Sequence, residues 1–142
     1  MKIDVGFGTT TQSVKIDESN LMDILTPNEV SYDLTGEDEV RRALAAPIGS
    51  PLLRDLVKPG ETVAIITSDI TRPMPTYVVM PALLDELYAA GVSAKDITLV
   101  FALGSHRCHT EEEKKHLAGE RAYQEIKCID GDANNCVHMG TT

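Results

Sequence analysis

Two short polar runs in this chain contain the residue types that acid–base chemistry needs. The first run, residues 68–73, contains Asp69 and Arg72, and the second, residues 104–107, contains His106. A carboxylate accepts hydrogen bonds or acts as a base, and the fork of an arginine matches a carboxylate or a phosphate. A histidine can move protons near neutral pH. We therefore expect the chemistry of this protein at these side chains.

Each polar run directly follows a segment with the pattern of a buried β-strand. Residues 62–66 precede the first run and residues 97–103 precede the second. A helical pattern lies between them, so we predict two parallel strands that are joined by a helical crossover. The carboxyl ends of parallel strands lie at one edge of a sheet, where open α/β sheets bind ligands. The two runs should therefore converge at that edge.

Each of these residues also has a purely structural interpretation. Asp69 would cap the turn that follows it, and Arg72 would pair with a surface acid. His106, taken alone, would be a structural or exposed loop residue. Arg107 either binds a ligand or braces its loop by bonding to carbonyl oxygens. The expected convergence at one sheet edge is what favours the functional interpretation.

Metal-site interpretations have less support from the spacing. His106, Cys108 and His109 match no standard zinc pattern, and a fourth ligand would have to come from elsewhere. Cys136 and His138 form a second weak pair. We therefore predict no metal-ligating residue.

The composition predicts one globular domain and disfavours several classes of function. With 142 residues the chain is long enough to build its own core. The net charge of −9 disfavours binding to nucleic acid, which needs clustered Lys and Arg.

No apolar run approaches the roughly 20 residues that span a bilayer, and the N-terminus lacks the layout of a signal peptide. The three cysteines include no CxxC pair, which favours a reducing compartment. We expect a cytoplasmic protein that binds neither nucleic acid nor membrane.

The alternation of strand and helix patterns indicates a Rossmann-like α/β domain with a mainly parallel sheet and an N-terminal β-hairpin. The predicted strands are residues 2–7, 12–16, 62–66, 97–103 and 125–129. The hairpin turn falls at residues 8–11, which resemble a phosphate loop only loosely, since the chain contains neither GxxxxGK[ST] nor GxGxxG. We treat residues 1–142 as a single domain in which residues 1–50 form a hairpin and helical lead-in, and residues 51–142 form the βαβ core.

Caps and prolines predict where the helices begin and end. Thr35 and Thr110 each have an acid three residues later, which predicts an N-cap at both positions. The helix between the two central strands begins at Pro81, or begins near Pro75 and kinks at Pro81. Gly91 is the expected end of that helix.

The order of a strand, Ser68-Asp69-Ile70-Thr71-Arg72-Pro73, a helix, a strand and Gly104-Ser105-His106-Arg107 resembles the N-terminal domain of the lactate racemase family. The resemblance covers roughly residues 52–142, and the two motifs together are more specific than either alone. Members of this family racemise or epimerise 2-hydroxy acids by transient hydride transfer to a nickel-pincer nucleotide, a cofactor that performs the hydride chemistry.

The resemblance implies a role for each residue of the two runs. Arg72 would hold the substrate carboxylate, and Asp69 would position the cofactor or the substrate. His106 matches one of the two catalytic histidines of the family, which exchange the hydroxyl proton on opposite faces of the substrate. Thr71 and Arg107 would join Asp69 in binding the cofactor.

The family pattern also implies parts that these 142 residues do not contain. Family members are considerably longer, and the second catalytic histidine, the lysine that tethers the cofactor and the histidine that ligates nickel would lie beyond residue 142. His138 does not lie in a matching motif. We therefore expect the C-terminal half of the same polypeptide to be the partner of this chain. We expect neither bound nickel-pincer nucleotide nor turnover for these residues alone.

Two other functions stay open at this point. The run Asp69-Ile70-Thr71 after an apolar strand resembles the nucleophilic aspartate loop of haloacid-dehalogenase-type phosphatases, although Thr71 stands where that loop carries a second acid. The other function is a non-catalytic domain that binds a nucleotide or a small carboxylate through Arg72 and Arg107.

Overall fold

The strands and helices below come from a computed structural model, which describes residues 1–72 and 74–141. The strands are β1 (Lys2–Phe7), β2 (Thr10–Lys15), β3 (Val63–Ser68), β4 (Ile97–Ala102) and β5 (Lys127–Asp130). The α-helices are α1 (Gly36–Ala45), α2 (Leu53–Leu56), α3 (Thr76–Ala89), α4 (Glu111–Ala118) and α5 (Glu120–Glu125). None of these helices is long and apolar enough to cross a membrane.

The chain divides into two compact units, Met1–Tyr32 and Asp33–Thr142. The boundary that the sequence suggested, after residue 50, falls inside the second unit. The reason is that α1 packs against α3, where Arg41 Nη2 lies 2.8 Å from Asp85 Oδ2. Helix α1 is therefore part of the unit that carries the sheet.

The first unit contains the predicted hairpin with a shorter turn than expected. Strands β1 and β2 pair antiparallel from Lys2 with Lys15 to Phe7 with Thr10. The turn therefore consists of two residues, and Gly8 adopts a φ of +59°. Two-residue turns with positive φ match the twist of a hairpin, which explains why the second strand begins at residue 10 and not at residue 12.

The second unit contains a parallel sheet in the order β3-β4-β5. Helix α3 connects β3 to β4, and helices α4 and α5 connect β4 to β5. In the register of the first pair, Ser68 lies opposite Ala102. The two strands therefore end level with each other, and both polar runs begin at the same edge. The predicted α/β fold with a parallel sheet and an N-terminal hairpin is confirmed.

The core lies between one face of this sheet and helices α3, α4 and α5. Ile97, Leu99 and Phe101 are fully buried at alternate positions of β4, as expected for side chains on one face of a strand. The helices contribute Met80, Leu84, Leu87, Leu117 and Ala122 to the same cluster, which also includes Ile126 directly after α5. Each large apolar side chain buried in this way contributes about 1.5–3 kcal/mol to folding. This packing fixes the strands whose ends carry the polar runs.

The caps and the prolines show which predicted helix boundaries were right. Helix α3 begins at Thr76 and continues through Pro81, so the earlier of the two predicted starts applies. Thr110 forms the predicted capping box with Glu113. Thr35 is the N-cap residue of α1, as predicted, although its side chain makes no capping hydrogen bond. The first turn of α1 is instead acidic, which favours a helix N-terminus electrostatically.

Candidate active site

An open cleft of about 620 Å³ lies at the carboxyl ends of β3 and β4. Its lining combines Asp69 and Arg72 from the first polar run with Ser105 and His106 from the second. The two runs therefore meet at one sheet edge, as the parallel order predicts. The cleft holds the three residues that sequence reasoning selected as catalytic.

Asp69 is the buried acid of this cleft, with 4% of its surface exposed. Its Oδ1 accepts a hydrogen bond of 2.7 Å from the Thr71 hydroxyl and one of 3.3 Å from the Thr71 backbone N–H. Its Oδ2 contacts Nδ1 of His106. Hydrogen bonds from Thr71 and then from His106 lower the pKa of Asp69, so this carboxyl is an anion at neutral pH. Thr71 does not line the cleft and acts here by holding Asp69.

His106 presents one nitrogen to Asp69 and keeps the other free. Its backbone N–H donates to the Leu103 carbonyl at 3.0 Å, which closes a tight turn in which Gly104 adopts a φ of +58°. The Asp69 anion favours the tautomer with the proton on Nδ1, because a carboxylate only accepts hydrogen bonds. In the part of the chain that the structure describes, Nε2 of His106 makes no hydrogen bond. That nitrogen is available to accept a proton from a ligand.

Arg72 differs from the other arginines of the chain in its ion pairs. Carboxylate partners are present for Arg41, Arg42, Arg54, Arg107 and Arg121. Among residues 1–72 and 74–141, no carboxylate pairs with Arg72, whose side chain lines the cleft. An arginine fork of this kind can bind a ligand carboxylate through two hydrogen bonds.

Arg107 braces its own loop in this structure. Its Nη1 and Nη2 donate to the two carboxylate oxygens of Glu113 at 2.8 Å and 2.7 Å, and Nη1 also donates to the Cys108 carbonyl. The hydrogen bonds from Arg107 and from the Thr110 N–H lower the pKa of Glu113 to about 2. Arg107 does not line the cleft. The structural alternative therefore describes its contacts, and its role in cofactor binding stays a prediction.

His109 is the residue whose role sequence reasoning missed, because it was considered there only as a metal ligand. The side chain is buried, and its Nε2 accepts a hydrogen bond of 3.1 Å from the Ile70 N–H. Its Nδ1 lies 2.6 Å from Oδ1 of Asp130, the last residue of β5. The only signal in the sequence is an acid, Asp130, directly after the last predicted strand, and that signal does not indicate which side chain the acid contacts.

The side chains considered as metal ligands do not form a cluster. Throughout residues 1–72 and 74–141 there is no group of three or more His, Cys, Asp or Glu side chains that could hold a metal ion. Cys108 and Cys136 are exposed. Both ring nitrogens of His109 already have partners within the chain. The described side chains therefore provide no donor set that fits nickel.

The fold and the cleft together define a class of protein: an α/β domain with an acid–histidine pair at the carboxyl edge of its sheet and, within the described residues, an arginine there without a carboxylate partner. The sequence profile described as "Lactate racemase N-terminal domain" matches residues 7–142. The chain therefore belongs to the lactate racemase family, in the part that forms the N-terminal domain. The resemblance drawn from the two polar runs is confirmed.

Named relatives support the same assignment. Lactate racemase from Thermoanaerobacterium thermosaccharolyticum is 33% identical over 139 residues, which are 96% of this chain and 32% of that protein. Lactate racemase from Lactiplantibacillus plantarum is 33% identical over 120 residues, 83% of this chain and 28% of that protein. The structure of the lactate racemase apoprotein from T. thermosaccharolyticum matches with a TM-score of 0.76 and 30% identity over 95% of this chain and 31% of that chain. The chain thus spans about a third of the length of these relatives.

Proposed function

We propose that this chain provides one wall of the active site of an isomerase that racemises or epimerises a small 2-hydroxy acid. The observation that carries the proposal is that Arg72, which has no carboxylate partner among the described residues, lies beside the Asp69–His106 pair in a single cleft. A 2-hydroxy acid has a carboxylate for the arginine to bind and a hydroxyl proton for the histidine to accept. The relatives that are named lactate racemase support this substrate class.

The roles of the three side chains follow from their contacts. Arg72 binds the substrate carboxylate and orients the 2-hydroxyl group toward His106. Nε2 of His106 accepts the hydroxyl proton and later returns it. The Asp69 anion stabilises the imidazolium that exists between these two steps, and it keeps the ring in the productive tautomer. Asp69 can do so because hydrogen bonds lower its pKa and keep it charged.

The cofactor of this family supplies the step that these side chains cannot perform. A nickel-pincer nucleotide, the cofactor that the resemblance implies, would supply the hydride chemistry at C2 of the substrate. Because the described side chains provide no donor set for nickel, we derive no step through this group. Contacts of Asp69, Thr71 and Arg107 with it stay predictions. For the same reason we propose that these 142 residues alone neither hold the cofactor nor turn over.

We further propose that the C-terminal part of a longer polypeptide completes the cleft. The relatives are about three times as long as the segment that matches this chain. The wall of the cleft contains Ile66, whose surface is 73% exposed on a strand of a parallel sheet. Parallel sheets are normally covered on both faces, because their strands are apolar on both sides. Ile66 therefore lies on a sheet face that a covering segment would bury.

The contacts of Asp69 disfavour the phosphatase alternative. A nucleophilic aspartate needs one carboxylate oxygen free to attack phosphorus, whereas Thr71 and His106 occupy the two oxygens of Asp69. Thr71, which replaces the second acid of the phosphatase loop, uses its hydroxyl to hold Asp69. Neither contact is needed for phosphoryl transfer, and both are useful for an acid that orients a histidine.

A chimera tests the proposed function. This chain replaces the aligned segment of the T. thermosaccharolyticum racemase, and the interconversion of D- and L-lactate by the cofactor-loaded chimera is followed by chiral chromatography. We expect racemisation, with kcat reduced roughly 100- to 10,000-fold by His106→Gln, the usual range for loss of a general acid–base group. His138→Gln, at an exposed histidine, is the matched control. A His106→Gln chimera that racemises as fast as the control would contradict the proposal.

A further inference from the structure

His109 belongs to the loop that carries His106 and bonds to the loop that carries Asp69. Its side chain is only 1% exposed, so its hydrogen bonds are shielded from water. The bond to the first loop is the 3.1 Å contact from the Ile70 N–H to Nε2, directly beside Asp69 in the sequence. The position of Asp69 relative to His106 therefore depends on this ring.

Asp130 determines which nitrogen of His109 carries the proton. Its Oδ1 lies 2.6 Å from Nδ1, and its Oδ2 accepts the backbone N–H of His109 at 2.9 Å. The lowest-energy arrangement for a carboxylate facing Nδ1 places the proton on Nδ1. Nε2 then keeps its lone pair and can accept the Ile70 N–H. Both contacts agree on the neutral tautomer with the proton on Nδ1.

Packing fixes the orientation of the same ring. The buried ring of Phe101 meets the His109 ring edge-on, with centroids 5.3 Å apart and an interplanar angle of 66°. Phe101 belongs to β4 and its carbonyl accepts the Gly131 N–H at 2.8 Å, which ties the end of β5 to β4. The ring is therefore supported by the core and by Asp130 at once.

We propose that His109 is a positioning residue, which sets the separation of Asp69 and His106 by holding the Ile70 amide from an anchor on Asp130. It does not line the cleft, so it acts on the reaction only through the loop it holds. Its effect on turnover rests on the proposed function. Its effect on the position of the loop does not, and a measurement without turnover can therefore test it.

The first test is the tautomer of His109 in the unmodified chain. Long-range ¹H–¹⁵N correlation spectra of the histidine rings distinguish a proton on Nδ1 from a proton on Nε2. We expect the proton on Nδ1. A proton on Nε2 would overturn the proposal, because two N–H donors would then face each other at Ile70.

The second test uses Asp130→Asn, which changes the shape of the side chain very little. The side-chain amide that this substitution introduces donates to Nδ1 and shifts the ring to the other tautomer, as replacing the carboxylate does in a catalytic triad. Hydrogen exchange of the Ile70 amide should then accelerate about tenfold or more, whereas exchange of the buried Leu99 amide should not change. His109→Asn removes the acceptor directly and should give the same result at Ile70.

The controls separate positioning from general stability. His138→Asn, at an exposed histidine, should leave both amides unchanged. Equal acceleration at Ile70 and Leu99 would mean a general loss of stability and would contradict the proposal, as would an unchanged Ile70 amide in both variants. In the racemase chimera we expect Asp130→Asn to lower kcat with little change in KM, because Arg72 is untouched. If no chimera is active, the proposed function fails, while Ile70 exchange still decides the role of His109.

Discussion

The loop after β3 and the loop after β4 reach the same cleft but hold their arginines differently. Arg72 in the first loop has no carboxylate partner in the described chain and lines the cleft. Arg107 in the second loop is held by both oxygens of Glu113 and lies outside the lining. Arg72 is therefore available to bind a ligand, whereas the ion pair of Arg107 stabilises the loop.

The two loops also differ in what supports them. The loop after β4 is fixed by the turn at Gly104 and by the capping box at Thr110. The loop after β3 begins next to a 2.6 Å hydroxyl contact between Thr67 and Thr76 and is then held by the ring of His109. The second loop therefore acts as a scaffold for the first, apart from His106, which it presents to the cleft.

Among the tests of this difference between the two loops, Asp69→Asn in the racemase chimera should have the largest effect on activity. An amide in place of the carboxylate disfavours the proton on Nδ1 of His106 and no longer stabilises an imidazolium. We expect kcat to fall roughly 100- to 10,000-fold in steady-state racemisation assays. The matched control is Asp132→Asn in the exposed stretch after β5, which should leave kcat unchanged. A normal rate in Asp69→Asn would remove this acid from the mechanism.

A smaller effect should distinguish the two arginines. Arg72→Ala removes charged hydrogen bonds to the substrate carboxylate and should raise the KM for lactate in the chimera roughly ten- to a hundredfold. Arg107→Ala removes an exposed ion pair and should change KM by about twofold or less. KM values that rise equally in both variants would mean that the contrast between the loops is wrong.

The pH dependence of stability should report on the brace of the second loop. The pKa of Glu113 lies below its ordinary value of 4.5, at about 2, in the folded chain. A lowered pKa stabilises the fold above the ordinary value, and this contribution is lost as the pH falls from about 4.5 toward 2. The free energy of unfolding of the unmodified chain, measured with denaturant, should therefore fall over this pH range more than that of Glu113→Gln. Glu112→Gln, at an exposed neighbour, is the control and should show the same pH dependence as the unmodified chain. If the free energy of unfolding of Glu113→Gln falls with pH as steeply as that of the unmodified chain, the ion pair with Arg107 does not stabilise the loop.

The smallest effect should come from the hydroxyl that supports the first loop. Thr71→Val removes the stronger of two hydrogen bonds from Thr71 to Asp69 and keeps the shape of the side chain. The pKa of Asp69 should rise toward its ordinary value, which a carboxyl ¹³C NMR titration of the isolated chain measures. Thr9→Val in the exposed hairpin turn is the control. An unchanged titration of Asp69 would show that Thr71 does not support this carboxylate.

Local patterns were sufficient to predict much of the fold. The apolar run of β4 and the acid three residues after Thr110 act over one strand and one helical turn, and both predictions were right. The start of α3 and the length of the hairpin turn could not be fixed in this way. Pro81 is compatible with either start of the helix, and two-residue and four-residue turns fit the same threonine-rich stretch.

The amino-acid pattern was enough to predict which residues meet at the cleft, because two buried strands joined by a helix must end at the same edge of a parallel sheet. It therefore selected Asp69, Arg72 and His106. Two sets of contacts became known from the folded chain: Arg107 pairs with Glu113, and His109 bonds to both Ile70 and Asp130. The partners of His109 lie 39 and 21 residues away, and no local pattern links side chains that the packing of separate elements brings together.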